Sequence, residues 1–91
     1  MVDELDLIVS ATGRAVRTRR LELHLTQGEL LARLKPFGVE LTQGYLSQIE
    51  SGTRTGQSFK LILALCLALD LSIDQVIDSV WQGDRNRVKS L

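Results

Sequence analysis

Apolar residues recur along the chain at three-, four- and seven-residue spacings, and polar breaks separate the apolar stretches. This spacing places the apolar side chains on one face of a helix. The pattern predicts five helices, at residues 12–23, 27–35, 43–51, 59–69 and 73–81. We refer to these as helices 1 to 5. The pattern therefore predicts an all-α domain.

Capping residues mark where several of these helices begin and end. Thr26-Gln27-Gly28-Glu29 matches a capping box at the start of helix 2, and Pro36 ends that helix. Gly52 suits the left-handed conformation that stops helix 3. His24 lies where helix 1 must turn, and histidine tolerates positive φ, so we expect a turn residue there rather than a ligand or a base. Further N-caps are predicted at Thr42, Ser58 and Ser72.

The two ends of the chain lie outside this five-helix pattern. Residues 1–11 form an N-terminal segment that is expected either to fold as a short helix or to extend helix 1 backward. Residues 12–81 are the predicted domain. Residues 82–91 alternate in charge and are expected to be a flexible tail.

Helix 4 is apolar almost all round. One face at helical spacing holds Phe59, Ile62, Leu65, Cys66 and Leu69, which we expect to point inward. The leucines that remain need another surface to cover them. They are candidates for a homodimer interface, whereas the alternative is that residues 3–10 cover them within one monomer. The dimerisation candidates are Leu61, Leu63, Leu67 and Trp81, and further inward-facing residues are expected at Phe37, Val39, Leu41, Val76, Ile77 and Val80.

Helix 3 carries an uncharged polar face opposite its apolar one. The polar face holds Gln43, Gly44, Ser47 and Gln48. Amide side chains can pair with base edges, and adenine is a favoured partner of glutamine, whereas Lys or Glu would usually cover a helix that meets only water. The face therefore favours contact with DNA, although a short capped surface helix without this role could look the same.

The formal net charge is zero, but the charge is unevenly distributed. Residues 1–13 hold three acids and no base, while residues 14–60 hold eight bases and four acids. A local basic surplus can bind phosphate even when the whole chain is neutral. The alternative is that the arginines of residues 14–20 only form a solvated helix face.

Other classes of function find little support in the composition. The single cysteine, Cys66, excludes an internal disulfide and argues against a cysteine metal site. The chain has no glycine-rich phosphate loop and no Cys/His cluster, so we expect no enzyme activity, cofactor, metal or small-molecule ligand. No apolar run is long enough to span a membrane, and the acidic N-terminus is unlike a signal peptide, so a cytoplasmic protein is expected.

Three segments together resemble the phage-repressor-like helix-turn-helix family, which is of the Cro/CI type and is also called XRE. They are Leu25-Thr26-Gln27-x-Glu29-Leu30, the run from Tyr45 to Gly52, and the run from Ala68 to Asp74. The resemblance covers about residues 13–80. It implies a lambda-repressor-like five-helix fold and a transcription regulator that binds double-stranded DNA sequence-specifically. Such a regulator is usually a homodimer with helix 3 in the major groove.

The resemblance also implies roles for particular residues. Glu50 matches a structural glutamate that pairs with an arginine of helix 1, here Arg20. Base-contacting positions fall on Gln43, Gly44, Ser47 and Gln48, and phosphate-contacting positions on Gln27, Tyr45, Thr53, Arg54 and Arg17.

Two features depart from the family pattern. The segment from Gln27 to Gln43 is several residues longer than usual, so the turn becomes a loop and the angle between helices 2 and 3 is left open. Gly44 leaves one base-contacting position without a side chain. A protein-interaction module, such as an antitoxin that caps a partner, is the alternative function, and the spare leucines and neutral charge favour it.

Overall fold

The computed structural model describes residues 4–54 and 56–78. Four α-helices occupy most of this part of the chain: α1 (Glu4–Glu22), α2 (Gln27–Leu34), α3 (Gln43–Ser51) and α4 (Phe59–Ala68). A fifth helix, α5, covers residues 73–78, up to the end of the described segment. The all-α prediction is confirmed. Val80, Trp81 and the predicted tail lie outside the described residues.

The first helix is longer than the apolar pattern predicted. It runs unbroken from Glu4 to Glu22, so residues 4–11 extend helix 1 backward and do not form a separate helix. His24 then turns the chain with φ 57°, as its position suggested. The division into an N-terminal segment, a domain and a tail stays a prediction.

The predicted caps are present as hydrogen bonds. Thr26 and Glu29 form both halves of the capping box, at 3.1 and 3.0 Å, and these bonds to Thr26 hold the pKa of the Glu29 carboxyl below its usual value. Thr42 Oγ1 accepts from the Tyr45 N–H at 3.1 Å, and Gly52 ends α3 with φ 77°. Similar caps lie at Ser58 and Ser72. Gln75 bonds back to the Ser72 N–H and so completes a second capping box. Local sequence signals therefore fix the start of α2 and both ends of α3.

The core lies where α1, α2, α3 and α4 meet. Its most deeply buried side chains are Val16, Leu30, Leu34, Leu46, Leu65 and Leu69. Leu23, Leu25, Val39, Leu41 and Tyr45 are among the half-buried residues that pack around it. The core thus supports α3 from beneath along its Leu46 side.

The inward face of α4 matches the predicted one only in part, at Leu65, Cys66 and Leu69. The buried stripe is Leu61, Ala64, Leu65, Ala68 and Leu69, together with Cys66, while Phe59 is 65% exposed. Leu61 is therefore a core residue and was wrongly proposed for dimerisation. Apolar residues surround α4 on nearly every side, so the sequence alone does not show which face is buried. Ala64 and Ala68 lie on the closely packed face, but only the positions of the neighbouring helices identify it.

Two more apolar residues point outward against expectation. Phe37 is 40% exposed and Ile77 is 56% exposed. Phe37 closes a short 3₁₀ turn, Lys35–Phe37, which has Pro36 as its second residue and is ended by Gly38 in the left-handed conformation. The backbone after Leu34 therefore swings Phe37 away from the core before Val39 returns to it.

The 3₁₀ turn also accommodates the extra residues between α2 and α3. It adds a bulge after α2, and residues 39–42 then form a loop without regular secondary structure that leads to the Thr42 cap. The starts of α2 and α3 still meet, since the Gln43 side-chain amide donates to Gln27 Oε1 at 3.3 Å. The longer loop thus preserves contact between the two helices.

Candidate nucleic-acid interface

The polar face of α3 is open to solvent. Gln43, Gly44, Ser47 and Gln48 are all exposed, whereas Leu46 and Ile49 on the opposite face are buried. A Cβ added at Gly44 would meet nothing within 4 Å. The four predicted base-contacting positions therefore share one accessible surface, which we call the polar face of α3.

A buried ion pair ties α3 to α1. Arg20 Nε and Nη2 donate to the two carboxylate oxygens of Glu50 at 2.8 and 2.9 Å, and Arg20 Nη1 donates to the Leu25 carbonyl at 2.7 Å. The bonds to Glu50 raise the pKa of the Arg20 guanidinium above its ordinary value. Bidentate geometry of this kind fixes orientation as well as distance. The pair therefore holds the C-terminal half of α3 against α1.

Gln27 extends this ion pair to the start of α3. Its amide nitrogen donates to Glu50 Oε1 at 3.2 Å, and its amide oxygen accepts from Gln43 at 3.3 Å. The half-buried Gln27 side chain therefore links the first residue of α3 to the carboxylate near its end. Polar contacts thus connect α1, α2 and the polar face of α3.

The backbones of α1 and α3 also approach each other closely. A Cβ on Gly13 would clash with the Ile49 carbonyl oxygen, so a side chain larger than hydrogen does not fit there. Three residues earlier, Ser10 Oγ donates to the Gly52 carbonyl at 3.0 Å. The extended part of α1 therefore packs against the C-terminal end of α3.

Arg54 folds back from the following loop onto α3. Its guanidinium lies 4.3 Å from the centre of the Tyr45 ring, and its Nε donates to Gln48 Oε1 at 2.9 Å. Thr53 Oγ1 lies 3.3 Å from the Gln48 backbone carbonyl. Three predicted phosphate-contacting residues, Tyr45, Thr53 and Arg54, are thus gathered at one edge of the polar face.

Apart from Arg20, the arginines of α1 and α2 divide into two groups. Arg14 and Arg17 are exposed and line a shallow depression with Gln27, Ser47 and Ser51, beside the polar face. Arg14 lies three residues before Arg17, so the two side chains share one face of α1.

The second group of arginines serves the fold. Arg19 donates to the Leu69 and Asp70 carbonyls at 3.1 and 3.4 Å, and Arg33 donates to the Ala68 carbonyl at 3.2 Å. These bonds satisfy carbonyls at the end of α4 and in the two residues after it, where the helix provides no N–H partners. Part of the basic surplus is therefore structural.

Other kinds of site find no support in the described residues. Among residues 4–54 and 56–78, no group of His, Cys, Asp and Glu side chains is arranged to hold a metal ion. In the same part of the chain, no helix combines the length and apolar character needed to cross a membrane.

The sequence profile of the helix-turn-helix family matches residues 16–76, which is more than half of the 91-residue chain. The chain belongs to this helix-turn-helix family. The family is of the Cro/CI (XRE) type and consists of DNA-binding regulatory domains, not enzymes. The matched region begins within α1 and ends within α5, so it contains the whole polar face of α3. No curated protein and no solved structure gave a significant match.

Proposed function

We propose that this helix-turn-helix protein is a sequence-specific transcription regulator that places α3 in the major groove of double-stranded DNA. The observation that carries the proposal is the exposed, uncharged polar face of α3 beside the exposed Arg14 and Arg17. Amides and hydroxyls can contact base edges, and neighbouring arginines can neutralise phosphates. The two kinds of contact would then act on the same stretch of duplex.

In this proposal the residues of the interface have separate roles. Gln43, Ser47 and Gln48 contact base edges, and Gly44 lets the helix backbone approach the groove. Contacts to the DNA backbone fix the position of α3 and come from Gln27, Tyr45, Thr53, Arg54 and Arg17. The Arg20–Glu50 pair keeps α3 at a constant orientation while neutralising a carboxylate near the phosphates.

We also propose that the regulator is a homodimer. Phe59, Leu63 and Leu67 follow one another at four-residue intervals on the outside of α4 and are 65%, 38% and 66% exposed. With Phe37 they line an apolar groove. The three exposed residues form a row that is centred on Leu63. Two copies related by a two-fold axis can therefore pack these rows ridge into groove, as helices commonly do through their i±4 rows. Pairing would also cover an apolar surface that monomers seldom leave open.

Solution mass tests the dimer. Wild type is expected to have twice the chain mass in light scattering at tens of micromolar, and Leu63→Glu/Leu67→Glu to have the mass of one chain. The control is Leu21→Glu, which changes an exposed leucine of α1 outside the exposed row of α4. This variant should stay dimeric. A monomeric wild type would contradict the dimer. It would also favour the interaction-module alternative, in which this groove binds another protein.

Selection from a random duplex library tests the DNA-binding proposal. Wild type should recover a two-fold symmetric motif whose half-sites lie about one helical turn, ~34 Å, apart. Salt-sensitive retention without a motif would mean that the protein binds only the DNA backbone. No retention at low salt would contradict DNA binding by this chain.

A further inference from the structure

The amide oxygen of Gln48 already has a cationic partner. Arg54 Nε donates to Gln48 Oε1 at 2.9 Å, and the Arg54 guanidinium is stacked over Tyr45. The Arg54 backbone is fixed as well, because its N–H donates to the Gln48 carbonyl at 3.3 Å and its carbonyl accepts from Gln57 Nε2 at 2.6 Å. Arg54 is therefore held against Gln48 from both its side chain and its main chain.

This contact changes which hydrogen-bonding groups of Gln48 are available to a base. Pairing with adenine requires the amide oxygen to accept from the base amino group while the amide nitrogen donates to N7. An oxygen that is bound to a guanidinium is a poorer acceptor for a second donor, and its amide plane is held in place. What remains at the polar face is the amide nitrogen of Gln48, which is a donor.

Arg54 adds further donors at the same place. Within the described part of the chain, no hydrogen bond occupies the two terminal nitrogens of Arg54, and the side chain is exposed. Gln48 and Arg54 together therefore present several donors and, in the Gln48 oxygen, one weakened acceptor. Guanine is the base that shows two acceptors, O6 and N7, on its major-groove edge.

Gln43 provides a contrast within the same helix. It uses its amide nitrogen to donate to Gln27 Oε1, at 3.3 Å, and this bond leaves the amide oxygen available as an acceptor. The two glutamines of the polar face therefore differ in the hydrogen-bonding group that they keep for DNA. The sequence, which predicted adenine contacts from glutamine in general, does not distinguish them.

We propose that Arg54 is a specificity-determining residue that sets Gln48 to recognise guanine rather than adenine. The inference rests on the proposed DNA-binding function and adds to it the base that one position selects. This role differs from that of a residue that contacts only phosphate. Loss of such a residue would weaken binding to every DNA sequence equally.

Site selection with four variants tests this role. Gln48→Ala identifies the base pair that Gln48 contacts, since sequence preference is lost there. At that base pair wild type should favour guanine over adenine by about tenfold. Arg54→Ala should lower this ratio to about one or reverse it. Arg54→Lys keeps the charge but lacks the planar Nε donor, so it should change the ratio like Arg54→Ala while keeping more of the affinity. Arg17→Ala, the matched control, should weaken binding without changing the ratio.

Two results would overturn the inference while leaving the proposed function intact. One is a wild-type motif with adenine at the base pair identified by Gln48→Ala. The other is an Arg54→Ala variant that keeps guanine at the wild-type ratio and loses affinity equally for all sites. Absence of any wild-type motif would overturn both proposals. Because Arg54 is exposed, the variants should keep the wild-type melting temperature, and circular dichroism checks that they are folded.

Discussion

Arg20 and Glu50, thirty residues apart in sequence, form a two-point ion pair whose side chains are only 9% and 2% exposed. Glu50 also accepts from Gln27, so its carboxylate joins α1, α2 and α3 at one point. A buried pair of this kind contributes orientation more reliably than net stability. In this protein the element that it orients is α3, which carries the polar face.

Removing one partner of this pair should destabilise the fold strongly. Glu50→Ala leaves the Arg20 guanidinium buried without its counter-charge, and we expect a loss of about 3–5 kcal/mol in the free energy of unfolding. Urea denaturation followed by circular dichroism measures it. The control is Arg20→Leu/Glu50→Leu, which removes both charges and should recover most of the loss. A Glu50→Ala variant as stable as wild type would contradict the role given to the pair.

Gly13 should tolerate no side chain. Gly13→Ala places a Cβ against the Ile49 carbonyl, so α1 and α3 must separate, and we expect destabilisation of about 1–3 kcal/mol or more. Gly28→Ala is the control, because its Cβ would meet only Thr26 Oγ1 at 3.9 Å. Thermal melts of the two variants should move apart, with Gly28→Ala at or above wild type. Equal melting temperatures would show that the close approach is absent in solution.

Local signals made α3 predictable from the sequence. Thr42 and Gly52 cap it, and Leu46 and Ile49 mark its buried face, all within eleven consecutive residues. The same holds for the Thr26–Glu29 capping box and for His24 at its turn. Each of these features depends on neighbours in the sequence, so no knowledge of tertiary packing was needed.

Features that depend on distant residues could not be predicted in this way. The predicted inward face of α4 was right at Leu65, Cys66 and Leu69 and wrong at Phe59. Apolar residues surround this helix, so only tertiary contacts select Leu61 over Phe59 for burial. Arg19 bonds to the Leu69 carbonyl across fifty residues of sequence, which charge counting could not distinguish from a phosphate contact. The Arg54–Gln48 bond also needed the loop conformation after Gly52.

Cys66 should be nearly unreactive in the folded protein. It is 5% exposed, and burial raises the pKa of its thiol. The folded state therefore favours the protonated thiol: this contribution to stability is fully present below the pKa of the unfolded chain and is lost as pH rises through the higher folded value. Labelling by a disulfide reagent at pH 8 should be about a thousandfold slower in buffer than in denaturing urea.

An exposed cysteine provides the comparison for this labelling. Ser51→Cys in a Cys66→Ala background lies at an exposed position and should react at nearly the same rate in buffer and in urea. Rapid labelling of native Cys66 would mean that α4 does not bury this side chain in solution.

The salt dependence of DNA binding should show whether Arg17 contacts DNA phosphate. Arg17→Ala removes one exposed cation beside the polar face, so the slope of log K against log salt should fall by about 1 for specific and random duplexes alike. Fluorescence anisotropy over a salt series measures this slope. Lys60→Ala, which removes a cation from the apolar groove of α4, should leave the slope unchanged. Equal slopes for wild type and Arg17→Ala would exclude Arg17 from the interface.

The affinity of Gln43→Ala/Gln48→Ala for a selected site and for a random duplex shows whether the polar face of α3 recognises bases. Each glutamine contact is expected to contribute ~1–3 kcal/mol of discrimination, so the ratio of specific to random affinity should fall by at least about thirtyfold. Binding to the random duplex should change by less than about twofold, because the phosphate contacts remain. A variant that keeps the wild-type ratio would show that the polar face of α3 does not recognise the sequence.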